Sequence, residues 1–244
     1  DGINVFPSTR WYALSGQYRR SPTMHIGLIG GIGPAAASYY YRKLGSAFAQ
    51  AGIPLELTLA HTDLSLLVEN LSAGNAKAQA REFARLGKRL KAAGAEAIAI
   101  TSIAAHFCAR ELGSITPLPI IDGIAAVHDA VARKRLPRVG LLGAAATMES
   151  HLFGALPPEA LVLPDPLQRR EVHDETLATA TRGFATEESQ HRLQTIGQAL
   201  CDKGADAVVL GGTDLFLAFD GNAGYPTISA ADAHIDAIFR AAVD

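Results

Sequence analysis

Two stretches of this chain occur twice. Ile26-Gly-Leu-Ile-Gly-Gly31 returns as Val139-Gly-Leu-Leu-Gly143, and Gly94-Ala-Glu-Ala-Ile-Ala-Ile100 returns as Gly204-Ala-Asp-Ala-Val-Val-Leu210. The offsets are 113 positions (139 − 26) and 110 positions (204 − 94). Two matches at nearly one offset imply two structurally equivalent halves with a site where they meet. They also pair positions across that site: Thr101-Ser102-Ile103 falls opposite Gly211-Gly212-Thr213.

At 244 residues the chain suffices for one large domain or two of about 110 to 120 residues. Apolar residues make up 48% and charged residues 19%, ordinary globular usage. A net charge of −2 without a basic run argues against nucleic-acid binding, which needs clustered Lys and Arg to neutralise phosphates. The chain has no run of about 18 apolar residues, so no membrane span is expected. Cys108 and Cys201 are far apart, lack zinc spacing and read as small buried hydrophobes. No metal site is expected. Residues 1–23 lack a periodic apolar pattern and the apolar core of a secretory signal. They read as a poorly packed arm, with Met24 as a candidate natural start.

Apolar runs ending in glycine alternate with amphipathic stretches. Strands are expected over 24–29, 55–60, 97–101, 139–142, 161–163 and 207–210. Helices are expected over 35–49, 78–93, from 106 to 112, 124–131, 149–156, 173–181, 190–202 and 230–242. That alternation predicts an α/β fold of two pseudo-symmetric parallel-sheet domains with a cleft between them. The first domain is expected over 24–115 with 227–244 returning to it, and the second over 116–226. Thr116-Pro-Leu-Pro119 and Asp220 to Pro226 are the candidate linkers.

The candidate site residues lie where strands end, the usual ligand-binding edge of open α/β sheets. Gly31, Gly33 and Pro34 form a glycine turn that opens a helix, and helix N-termini favour carboxylates or phosphates. Gly31-x-Gly33-x-x-Ala36 also satisfies the dinucleotide fingerprint, which leaves a nicotinamide-dependent oxidoreductase open on that pattern alone. Thr101 and Ser102 close one strand; Ser102 is a nucleophile, a hydrogen-bond donor or a helix cap. His106 is an acid, a base or a buried structural group. Thr147 is a cap or a ligand contact, Thr213 can donate to a carboxylate, and Asp214 can cap the following helix. His61-Thr-Asp63 and Arg169 to Asp174 read as solvated surface.

Taken together, Ile26-Gly-Leu-Ile-Gly-Gly-Ile-Gly-Pro-Ala-Ala36, Tyr39-Tyr-Tyr41, Gly140-Leu-Leu-Gly143, Thr147-Met-Glu149, Ala105-His106 and Gly211-Gly-Thr-Asp214 resemble the aspartate/glutamate racemase family. The resemblance runs from about 24 to 244 and includes Pro226-Thr-Ile-Ser with His234. It implies a cofactor-independent amino-acid racemase. Its active site lies between two halves, where one cysteine from each removes or supplies the Cα proton. The family's Cys-Asn-Thr-Ala-His is here Ser102-Ile-Ala-Ala-His106, and its Gly-Cys-Thr-Glu is Gly211-Gly-Thr-Asp214. Both thiols are therefore replaced, by Ser102 and Gly212. A thiol of pKa ~8.5 can be tuned to a thiolate, whereas a serine needs a partner base and glycine offers neither acid nor base. The resemblance thus implies an isomerase-type protein with impaired or altered chemistry. The alternatives are a non-catalytic binder of a small acid or amino acid, and a one-sided lyase or decarboxylase. A small carboxylate or amino acid is the expected ligand, with Gly31, Gly33, Pro34, Thr101, His106, Thr147 and Thr213 around it. A cytoplasmic location is expected, and a homodimer is left open.

Overall fold

A computed structural model describes residues 23–219 and 223–244. The arm over 1–22 and residues 220–222 of the second linker lie outside the described residues.

The first half runs β1 (Ile26–Gly30), α1 (Pro34–Ala51), β2 (Leu57–His61), α2 (Leu64–Ser72), α3 (Ala76–Ala92) and β3 (Ala97–Ile100). A 3-10 turn over Ala104–Cys108 leads to the short α4 (Ala109–Gly113) and then to α5 (Gly123–Lys134). The second half runs β4 (Val139–Leu142), α6 (Ala145–Glu149), β5 (Leu161–Val162), α7 (Pro166–Arg182), α8 (Glu187–Asp202) and β6 (Ala207–Leu210). Another 3-10 turn, Thr213–Leu217, precedes β7 (Thr227–Ser229) and α9 (Ala230–Val243).

The strands form two parallel sheets, ordered β2-β1-β3 and β5-β4-β6-β7. Ile120 bridges in parallel to Ile98, so the first sheet has a fourth member where the second has β7. The architecture is α/β, as the alternation of elements predicts.

The repeated sequence is a repeated packing. Gly27 on β1 pairs with Ile98, and Gly140 on β4 pairs with Val208. A Cβ on Gly27 would meet Leu90 Cδ1 at 3.0 Å; one on Gly140 would meet Leu200 Cδ1 at 2.9 Å. Each sheet thus needs a glycine on β1 or β4 where a leucine of the helix leading into the neighbouring strand presses onto it. Gly94 and Gly204, at φ +97° and +94°, turn the chain out of those helices in the left-handed region.

Two helices lie against the opposite half. Ile124, Val127 and Val131 of α5 belong to the core of the second sheet. Ala231, Ile235, Ile238 and Ala242 of α9 join Ile26, Leu28 and Tyr40 in the core of the first.

Several boundaries differ from expectation. The helix expected over 149–156 is α6, ending at Glu149; His151, Leu152 and Phe153 then take φ of +55°, +57° and +54°. This left-handed turn places Leu152 in the second core, and Ser150 Oγ accepts the Phe153 N–H at 2.9 Å. α7 begins at Pro166, not 173, because Asp165 and Gln168 form a capping box around a proline at the helix start. α2 and β7 were not expected from the sequence.

Candidate functional site

β3 and β6 belong to different sheets, and the positions two residues beyond their ends, Ser102 and Gly212, line one cavity of about 140 Å³. The equivalence is visible in the backbone. Thr101 N–H donates to Ile29 O at 3.0 Å in one half, and Gly211 N–H donates to Leu142 O at 2.7 Å in the other.

Two helices wall the cavity with matching faces. α2 contributes Leu64, Leu67, Val68 and Leu71, and α7 contributes His173, Thr176, Leu177 and Ala180. Both sets fall at i, i+3, i+4 and i+7, one stripe of an α-helix. Ile32 from the glycine turn, Ala104, Ala144, Gly211 and Thr213 complete most of the lining. The α2 stripe is legible in sequence: Asp63 caps the helix by accepting the Ser65 N–H at 2.7 Å, just before the apolar positions begin. His61 and Asp63 are exposed, as expected, while Thr62 between them is buried. Within Arg169 to Asp174, expected on a solvated face, His173 is half-buried and lines the cavity.

The cavity is closed at Gly212. A Cβ there would meet Thr176 Cγ2 at 2.9 Å and Leu215 Cγ at 3.2 Å. Thr176 turns its hydroxyl away to donate to Val172 O at 2.6 Å, so its methyl faces the glycine.

Asp214 does not cap the helix that follows it. It reaches across to α1, where Oδ1 accepts the Ala36 N–H at 3.0 Å. A Cβ on Gly33, at φ +89°, would lie 2.2 Å from Asp214 Oδ2, so only glycine fits beneath this carboxylate. The helix N-terminus expected to hold a ligand anion thus holds the protein's own. A dinucleotide pyrophosphate at that turn would be set against the Asp214 carboxyl. Burial pushes Asp214 up to about 7, opposed by the Ala36 hydrogen bond.

The other expected residues divide. Thr213 lines the cavity, but its hydroxyl donates to Thr101 O at 3.1 Å. Thr101 donates its own hydroxyl to Ile29 O at 3.2 Å. Thr147 is fully buried with no partner for its hydroxyl; its methyl lies 3.1 Å from where a Cβ on Gly211 would sit. Gly31 and Pro34 border a separate surface depression with Tyr41, Arg42 and His61. Ile103, at the family's asparagine position, is buried in the second core, whereas Ala104 faces the cavity.

His106 is held on both ring nitrogens. Nδ1–H donates to Ser102 O at 2.8 Å, and Nε2 accepts the Gly123 N–H at 3.1 Å. Burial lowers its pKa, which keeps it neutral. His234 sits beside it, ring centroids 5.9 Å apart, with Nε2–H donating to Ile121 O at 2.8 Å and Nδ1 accepting from Tyr40 OH at 3.1 Å. Burial pushes His234 down to about 3. The pair ties the start of α5 to α9 and α1. Cys108 is buried in the first core with its thiol pushed up to about 12 by desolvation. Cys201, on α8, packs against the second core, and burial raises its pKa too. Neither lines the cavity.

Among the described residues no helix is long and apolar enough to cross a membrane. The profile of the Asp/Glu/hydantoin racemase family matches residues 29–238. A comparison with curated proteins gives no match. Among solved structures, a proposed Asp/Glu racemase from Yersinia pestis is similar at 23% identity and a TM-score of 0.77, over 91% of this chain and 100% of that one. An aspartate racemase homologue from Pyrococcus horikoshii OT3 is similar at 22% identity and a TM-score of 0.72, over 90% of this chain and 99% of that one. A glutamate racemase from Francisella tularensis, solved with D-glutamate, is similar at 17% identity and a TM-score of 0.62, over 89% and 80%. At these identities the three likenesses bear on the fold.

Proposed function

Given that the chain belongs to the Asp/Glu/hydantoin racemase family, we propose that it uses the cavity between its halves to hold a small ligand and does not racemise aspartate or glutamate. The observation that carries this reading is the state of the two equivalent positions. Ser102 and Gly212 line the same cavity, and the Thr176 methyl occupies the space a side chain at 212 would need.

Two-base racemisation requires a proton acceptor on one face of Cα and a donor on the other. Ser102 is too weak an acid to serve without a base to deprotonate it. His106 cannot be that base, since both its nitrogens are committed to Ser102 O and the Gly123 N–H. Position 212 itself presents glycine and the Thr176 methyl, neither of which carries a proton for transfer, and Asp214, the one carboxyl lining the cavity, can serve one face only.

A one-sided reaction has a specific observation in its favour. Asp214 lines the cavity and is pushed up to about 7, so it can accept or return a proton near neutral pH. It supplies one face only, the chemistry of a lyase or decarboxylase.

Incubation with L-aspartate or L-glutamate in D2O, followed by proton NMR, tests the main reading. The Cα proton signal is expected to persist, and its rapid loss would overturn the proposal. Installing thiols by S102C with G212C is expected to give little exchange because Thr176 crowds position 212. Adding T176S removes that methyl and is expected to raise the exchange rate at least tenfold over the double variant.

A further inference from the structure

We propose that the cavity takes a small molecule with one polar head and an aliphatic body, and discriminates against dicarboxylic ligands; this rests on the reading that the cavity is a binding site. The first ground is a count of donors. No Lys or Arg is among the residues lining it. The Thr176 and Thr213 hydroxyls are spent on Val172 O and Thr101 O. Ser72 stands at the exposed rim, leaving Ser102 and His173, along with the Asp214 carboxyl, as the inner polar side chains. His173 Nδ1 accepts the Ala145 N–H at 3.2 Å, which places the ring proton on Nε2. These groups are enough for one polar head, with no cation among them for a second. A second carboxylate would be desolvated without a cation to offset the loss.

The second ground is the α2 wall, whose four inner positions are Leu64, Leu67, Val68 and Leu71. An aliphatic body against this stripe gains about fourfold in affinity per buried methylene. The charged end of a dicarboxylate set there gains nothing and loses its water.

Calorimetric titration of the full chain at pH 6 with 4-methylpentanoate and with glutarate tests this. The two probes share a carboxylate head and differ in what lies at the other end. The expected result is at least tenfold tighter binding of 4-methylpentanoate. Equal or tighter binding of glutarate overturns the inference while leaving the cavity a binding site. Binding of neither probe overturns the cavity reading itself, and the inference with it. V68K places a cation on the half-buried wall and is expected to shift the ratio toward glutarate at least fivefold. S72R does the same from the exposed rim and serves if V68K fails to fold. If the folded variants leave the ratio unchanged, the proposal is overturned.

Discussion

Gly212 and Thr176 set the chemistry of one face of the cavity between them. The glycine was legible in the sequence, since the repeat places it opposite Ser102. The methyl that fills its missing side chain was not, because Thr176 lies on α7, 36 residues earlier (212 − 176), and only packing brings it there. G212A is expected to lower stability by about 1–3 kcal/mol through overpacking, with T176S recovering part of the loss, as read from urea unfolding. Asp214 shows the same limit. Its sequence position suggested a local cap, whereas its carboxyl caps the first turn of α1 from the other half. Burial raises its pKa from the usual 3.8 to about 7. Below pH 4 the folded and unfolded chains both hold the proton. As pH rises toward 7 the unfolded chain releases it first, so folding stability falls across that window and levels off above it. D214N keeps an acceptor for Ala36 and removes the titration. The parent is therefore expected to lose up to about 4 kcal/mol relative to D214N between pH 4 and 7, measured by denaturant melts at each pH.

At the scale of elements, the central strands and long helices were readable because their residue choices serve one local demand. Gly27 and Gly140 make room for Leu90 and Leu200, and that need survives in both copies of the repeat. α2 was missed although its capping Asp63 and its apolar stripe are local signals, because nine residues offer only two turns of periodicity. β7 and the Ile120 bridge were missed for a different reason: they are too short to show a pattern and are defined by the strands they join. His106 belongs at this scale, since its bonds join the turn after β3 to the start of α5. H106L leaves the buried Gly123 N–H without its acceptor. It is expected to cost about 1–3 kcal/mol in urea unfolding while leaving the relative affinity for 4-methylpentanoate and glutarate unchanged. A shift in that ratio would place His106 among the ligand-binding groups.

For the whole molecule, the repeat predicted two halves around a shared site, and the parallel sheets carry that plan through to their cavity-facing ends. What the repeat could not convey is how the halves trade helices. α5 follows the fourth member of the first sheet yet covers the second, and α9 follows β7 yet covers the first. Each sheet is therefore finished by a helix that it does not itself lead into. A fragment such as 24–135 would carry a bare sheet face and a helix with nothing beneath its apolar stripe. Two such fragments can satisfy each other by reciprocal exchange of α5, and light scattering is expected to find the fragment as a twofold pair, not a folded monomer. The single chain is arranged, in effect, as a domain-swapped dimer within one polypeptide. One polypeptide can place a serine on one side and a glycine on the other, a difference that two identical subunits could never hold.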